Sequence, residues 1–172
     1  MLTQIVLLVI GLVILLIAAV VAAIGAYYVS KTTLPSSATN LFNGAGTWLV
    51  ASAIAAFVGV IVILILIITH YVRKDSTLFQ STATHTAIFI TFLAALLAAV
   101  TAGVAWYKIN SIVTIPASAK DGIKASKYAA GTATILAVVA SLVLLGAYLL
   151  TAFSDPHPIQ TAIVVKRKAK VV

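Results

Sequence analysis

The sequence predicts an all-α integral membrane protein, in which four transmembrane helices form a tandem duplication of a two-helix hairpin. Four long apolar segments, the aromatic residues at their ends and an internal repeat predict this fold. The composition agrees, because 63% of the residues are hydrophobic and only 8% are charged, whereas about 25% of the residues of a soluble domain are charged. The composition leaves no room for a soluble second domain.

Four segments are apolar and long enough to cross a hydrocarbon layer, which takes about 20 residues as a helix. None of them contains Asp, Glu, Lys or Arg, and continuous apolar runs favour helices over the alternating strands of a β-barrel. Tyr or Trp stands at or beside an end of each, as is typical of the membrane–water interface. We expect the first span to be retained, because no basic residue precedes it and its apolar run is too long for a signal peptide. The predicted spans are residues 5–28, 48–72, 88–107 and 129–153.

An internal repeat relates the two halves of the chain. Residues 19–28 resemble residues 98–107, and an aromatic pair ends each of these segments. After a two-residue insertion, residues 34–40 align with residues 115–121, which brings two of the four prolines into register. Self-similarity at a fixed separation is a signature of duplicated units, although convergent membrane composition is the alternative explanation. We therefore predict a duplicated hairpin.

The duplication predicts how the chain is organised. Each hairpin crosses the membrane twice, so both have the same orientation, unlike the inverted repeats around many transport sites. Pro35 and Pro116 stand early in the two hairpin connections, where the first turn of a helix tolerates proline. We expect a short interfacial helix in each connection, with a solvated loop as the alternative. The predicted units are hairpin repeat 1 over residues 1–76, hairpin repeat 2 over residues 77–155 and a basic C-terminal tail over residues 156–172.

Small residues recur four positions apart within the spans, which places them on one face of each helix. Such faces let helix backbones approach closely, and in lipid this packing replaces the hydrophobic attraction between helices. The high alanine content of the chain is the alternative explanation. The predicted helix-packing residues are Ala19, Ala23, Ala51, Ala55, Ala94, Ala98, Ala102, Ala133 and Ala137.

The net charge of +8 lies in the loops and the tail, because the predicted spans carry no acidic or basic residue other than histidine. Basic segments beside a membrane attract anionic headgroups, and nucleic acid offers a similar attraction. Six positive charges on the side of the termini against five on the other side slightly favour termini in the cytoplasm or virion interior. The residues predicted to contact headgroups or nucleic acid are Lys120, Lys124, Lys127, Lys166, Arg167, Lys168 and Lys170.

The sequence predicts no enzyme, cofactor or metal site. Ionisable groups within a bilayer normally mark proton relays, ion paths or substrate sites, and the spans contain no carboxylate, lysine or arginine. The absence of cysteine excludes disulfides and thiolate nucleophiles. His70, His85 and His157 could gather on one side of the bilayer, but their spacing does not resemble that of a metal-ligand pair.

In its Ala, Val, Ile and Leu content and its paired helices, the whole chain resembles the hydrophobic-hairpin membrane and capsid proteins of lipid-containing viruses, particularly archaeal ones. The resemblance contains no diagnostic motif and transfers no functional residue. It implies a structural protein that forms homo-oligomers in a cellular membrane or virion envelope, and the uncharged spans with their small-residue faces suggest the same. The alternatives are a non-catalytic accessory subunit of a larger membrane enzyme or transport complex, and a small channel or carrier lined by Ser and Thr.

Overall fold

The computed structural model describes residues 2–34, 36–73, 81–112 and 115–154, except for the side chains of residues 36, 37, 73 and 154. These residues form four long helices, each containing a window long and apolar enough to cross a membrane. The predicted all-helical chain with four membrane-length helices is therefore confirmed. The helices are α1 (Leu2–Lys31), α2 (Ser36–Arg73), α3 (Thr82–Asn110) and α4 (Lys120–Ser154).

The four helices pack as an antiparallel ring. Both α1 and α3 pack against α2 and α4 along their lengths, so that α1 lies diagonally opposite α3. Gly25 of α1 faces Leu49 of α2, and Gly59 of α2 faces Leu15 of α1, as antiparallel neighbours require. Both hairpin connections therefore lie at one end of the bundle, which we call the connector end. The opposite end, which holds Leu2 and the end of α4, is the terminal end.

Every helix is longer than a hydrocarbon layer requires. The 29 residues of α3 and the 38 residues of α2 correspond to about 44 and 57 Å at 1.5 Å per residue, compared with about 30 Å of hydrocarbon. In a bilayer, an untilted helix of either length would extend into the headgroup region or beyond it.

The short interfacial helices expected in the connections do not occur as separate elements. Residues 36–47 form the first turns of α2, and residues 120–128 form the first turns of α4. No proline interrupts either stretch, so each continues into its span as regular helix. The short element that the structure does contain before α4 is a 3₁₀ turn, Ala117–Ala119. Short interfacial helices are therefore not shown in the described part of the connections.

Alanines and a smaller number of large side chains fill the inside of the ring. Ala22, Ala98, Ala130 and Ala140 are completely buried, and so are the large residues Leu8, Leu15, Leu49, Ile63, Ile88 and Leu144. Other large apolar side chains are exposed, among them Ile54, Phe57, Ile65, Val100 and Ile135. In water this exposed apolar surface would be unfavourable, whereas in lipid it faces acyl chains of the same polarity.

Buried positions recur between the two halves at a fixed separation. The buried residues of α1 are Gln4, Leu8, Gly11, Leu15, Ala18, Ala19, Ala22, Gly25 and Val29. Each residue 80 positions later in α3 is buried as well. Between α2 and α4 the separation is 81 residues, as in Leu49 and Ala130 or Ile63 and Leu144. The sequence alignment of residues 19–28 with 98–107 therefore lies one residue out of this register.

Candidate functional site

The predicted helix-packing residues are mostly buried within the chain. Ala19, Ala55, Ala98, Ala102, Ala133 and Ala137 are buried, Ala51 and Ala94 are half-buried, and Ala23 is exposed. The exposed Ala23 lies on the outward side of the boundary between α1 and α2. Their contribution to the stability of the bundle stays a prediction.

Glycines mark close approaches between helices that were not predicted from the sequence. A methyl group on Gly25 would lie 3.0 Å from the Ala129 Cβ and 3.1 Å from the Leu49 Cδ1. A methyl group on Gly46 would lie 2.8 Å from the Val29 Cγ1. All three separations are shorter than ordinary van der Waals contact. A glycine inside a helix is about 1 kcal/mol less favourable than an alanine. A glycine within a long apolar run therefore indicates a close helix contact, and this signal was present in the sequence.

Each of the eight polar residues that are buried among those the structure describes makes a side-chain hydrogen bond within the protein. Most are hydroxyls that donate to a carbonyl one turn back in their own helix, as Thr91 Oγ1 does to the Ala87 carbonyl at 2.9 Å. Such bonds satisfy a hydroxyl locally. Thr101, Ser126, Ser141 and Thr151 are bonded in the same way, and the Thr84 hydroxyl bonds to that of Ser81.

Two buried polar side chains connect different helices. Ser52 Oγ of α2 donates to the Ala98 carbonyl of α3 at 2.9 Å. Gln4 Nε2 of α1 donates to the Leu150 carbonyl of α4 at 3.4 Å. The first bond lies at the α2–α3 boundary and the second at the α1–α4 boundary. Together they join the first hairpin to the second at both boundaries that the hairpins share.

Replacing Ser52 with alanine is expected to lower the free energy of unfolding by about 0.6 kcal/mol, the average for hydrogen bonds between membrane helices. Ser141→Ala is the matched control, because the Ser141 hydroxyl is buried but bonds to the Val138 carbonyl of its own helix. This control should change stability by less than about 0.3 kcal/mol. Reversible unfolding in lipid bicelles measures both variants. Equal losses would show that the interhelical bond contributes nothing specific.

Lysines cluster at the connector end. Lys120, Lys124 and Lys127 are exposed on the first turns of α4, with Asp121 among them. The other described lysines there are Lys31 at the end of α1 and Lys108 near the end of α3. The connector end is therefore net positive, which attracts anionic headgroups. The predicted tail residues Lys166, Arg167, Lys168 and Lys170 lie outside the described residues.

An aromatic band surrounds the bundle near the connector end. Its members are the exposed residues Tyr27, Tyr28, Trp48, Trp106, Tyr107 and Tyr128. Gly25 packs against Leu49 on one side and Ala129 on the other, so these three residues lie at the same depth. The aromatic residues close to them in the chain therefore lie at similar depth as well. Tyr and Trp prefer the membrane interface, so the band marks where the hydrocarbon of this leaflet would end.

The structure brings together no candidate metal ligands among the residues it describes. His70 lies near the end of α2 and His85 near the start of α3, whereas His157 lies outside the described ranges. Within those ranges, no three His, Asp or Glu residues come together as a metal site would require. That the protein binds no metal or cofactor stays a prediction.

No known protein family, curated protein or solved structure matches the chain. The resemblance to viral hairpin proteins therefore rests on composition and architecture alone.

Proposed function

We propose that this chain is a structural membrane protein, whose four-helix bundle packs in a bilayer and associates with further copies of itself. The observation that carries this proposal is the interior of the bundle. Alanine, leucine and isoleucine side chains fill it, and its buried hydroxyls and amide bond to backbone carbonyls or to a neighbouring hydroxyl. Such an interior suits close packing, whereas proton relays and ion paths are built from ionisable groups.

The repeated buried positions support an origin by hairpin duplication. A shift of 80 residues relates α1 to α3, and a shift of 81 residues relates α2 to α4. Under these shifts the α1–α4 boundary corresponds to the α2–α3 boundary, so both are the same contact between two hairpins of the same orientation. On this proposal the chain already contains one hairpin–hairpin association. Further association between chains would extend the same principle through the outward faces.

The outward face of α2 supports association with a neighbour. Ile54, Phe57, Ile61, Ile65 and Ile68 are exposed along it. The β-branched side chains among them have restricted χ1 rotamers in a helix, so they lose little side-chain entropy when another helix covers them. We place the assembly in a cellular membrane or virion envelope, with both termini on the cytoplasmic or interior side. The basic residues would then bind anionic headgroups, and the tail could alternatively bind nucleic acid.

Isolation from the native membrane tests this proposal against an accessory role. The chain would be extracted with a membrane-solubilising polymer that retains lipid, and the proteins in each particle would be quantified by mass spectrometry. We expect particles that contain several copies of this chain and no other protein at comparable amounts. Co-isolation with a larger catalytic chain at a fixed ratio would overturn the proposal that the chain associates with itself, and would identify it as an accessory subunit.

We expect vesicles reconstituted with this chain to be as impermeable as protein-free vesicles to K⁺, protons and glycerol. The physical reason is the closed interior, in which the Thr91, Thr101 and Ser141 hydroxyls are engaged with helix carbonyls. Dye-based flux assays measure this, with circular dichroism showing that the protein is folded. Flux that exceeds the protein-free level and falls in a Thr91→Val variant would contradict the proposal and favour a channel or carrier.

A further inference from the structure

An open groove runs along the outward side of the boundary between α1 and α2. The part nearer the middle of the helices, which we call the deeper part, has a volume of about 380 Å³. The small residues Ala19, Ala23 and Ala53 line it together with bulkier apolar neighbours. A second part of about 420 Å³ lies nearer the connector end and is lined by residues that include Ala26 and Gly46. Both volumes fall in the range of small-molecule sites.

The two parts lie end to end along the same faces of α1 and α2. The lining positions 16, 20, 23, 26 and 30 of α1 follow helical spacing, as do positions 43, 47, 50, 54 and 57 of α2. Each set therefore lies on a single helix face. From Leu16 to Ser30 the groove is about 21 Å long, which exceeds the depth of one leaflet, about 15 Å of hydrocarbon. It thus reaches from near the middle of a bilayer to the aromatic band.

The polarity of the groove changes along its length. The deeper part is apolar, whereas Ser30, Asn43 and Thr47 line the part at the connector end. Positive charge lies beside this polar part. Lys31 follows Ser30 in the chain, and its Nζ lies 5.8 Å from the centre of the Tyr27 ring.

The corresponding boundary in the second half is occupied by a tryptophan. Trp106 lies 80 residues after Ala26, and its Nε1 lies 3.4 Å from where a Gly131 Cβ would be. Gly131 lies 81 residues after Val50, which lines the groove of the first half. Trp106 thus covers in the second half the position that Ala26 leaves open in the first.

We propose that the α1–α2 groove binds a lipid with an anionic headgroup. One acyl chain lies along Ala19, Ala23 and Ala53, and the headgroup lies beside Ser30 and Asn43 with Lys31 as its positive partner. The order of apolar, polar and cationic surface along the groove is the order of tail, glycerol region and anionic headgroup in such a lipid. The inference needs the membrane location but not self-association, so its failure would leave the proposed assembly unaffected.

Photolabelling tests the site. A phosphatidylglycerol with a diazirine on one acyl chain is added in trace amount to phosphatidylcholine vesicles containing the full chain, and mass spectrometry locates the label. We expect residues 16–26 and 50–58 to be labelled about fivefold more than their counterparts, residues 96–106 and 131–139. A phosphatidylcholine probe should show a smaller preference. Equal labelling of the two halves would overturn the site, and equal preference for the two probes would overturn the anionic headgroup.

Two sets of variants complete the test. Ala26→Trp gives the first half the side chain found in the second and should abolish the preference, whereas Ala152→Trp at an exposed position of the terminal end should leave it unchanged. If Ala26→Trp fails to fold, the variant Lys31→Gln replaces it and should remove the preference for phosphatidylglycerol over phosphatidylcholine. Persistence of the preference in the folded variants contradicts the proposal. Labelling that falls as the protein-to-lipid ratio rises would show that a second copy covers the groove instead.

Discussion

Gly25→Leu is expected to lower the free energy of unfolding by about 2–3 kcal/mol, the usual cost of overpacking a filled interior. At this position α1 meets both α2 and α4, since a single added methyl group would already lie 3.0 Å from Ala129 and 3.1 Å from Leu49. Leu49 is completely buried, so it cannot move out of the way into solvent or lipid. Unfolding by steric trapping or by SDS titration in mixed micelles measures the change.

Gly146→Leu is the matched control for this prediction. Gly146 lies in α4, and a methyl group there would meet nothing within 4 Å. Because leucine is a better helix former than glycine, this variant should keep the stability of the original chain or raise it by up to about 1 kcal/mol. A similar loss in both variants would mean that the helices do not approach closely at Gly25.

Exchanging Leu97 and Ala98 is expected to destabilise the bundle by about 3 kcal/mol. Leu97 is 56% exposed and Ala98 is completely buried, so the exchange places a large side chain between α3 and α2. The variant Leu97→Ala, Ala98→Leu has the same composition and the same hydropathy as the original chain. If the stability depended only on the apolar character of the span, it would be unchanged. The same unfolding assay separates the two accounts.

The control exchange uses two neighbouring residues that both face outward. Ala23 and Ile24 are both exposed in α1, and the variant Ala23→Ile, Ile24→Ala should change the free energy of unfolding by less than about 0.5 kcal/mol. A loss in this control as large as that of the Leu97–Ala98 exchange would contradict the assignment of inward and outward faces.

The four membrane-length helices could be predicted because a membrane span depends on composition over about 20 residues. The inward face of each helix could not be read in the same way. In a soluble helix polar residues mark the outside, but here both faces are apolar, and Ala19 and Ala23 looked equivalent although Ala19 is buried and Ala23 exposed. The shared apolar character of both faces also explains why the alignment of residues 19–28 with 98–107 lies one residue away from the register of the buried positions. Alanine matches itself at several neighbouring alignments.

Neither the packing of the glycines nor the form of the connections could be predicted from the sequence, for different reasons. The role of Gly25 depends on α2 and α4 converging on it, and no local pattern reports such a convergence. In the connections, Pro35 and Pro116 suggested short separate helices, and the structure instead shows residues 36–47 continuing without interruption into α2. The hydroxyl of Ser52 could not be assigned to Ala98 from the sequence, because most hydroxyls of this kind bond within their own helix.

Counting chains per assembly in lipid vesicles tests the central claim, self-association within a bilayer, most directly. The sequence contains no cysteine, so Thr3→Cys provides a single labelling site at an exposed position of the terminal end, and stepwise photobleaching counts the labelled chains. With no other protein present, we predict that the fraction of assemblies with two or more chains rises steadily with the protein-to-lipid ratio, as mass action requires. Single chains at every ratio, with the protein folded, would contradict the account.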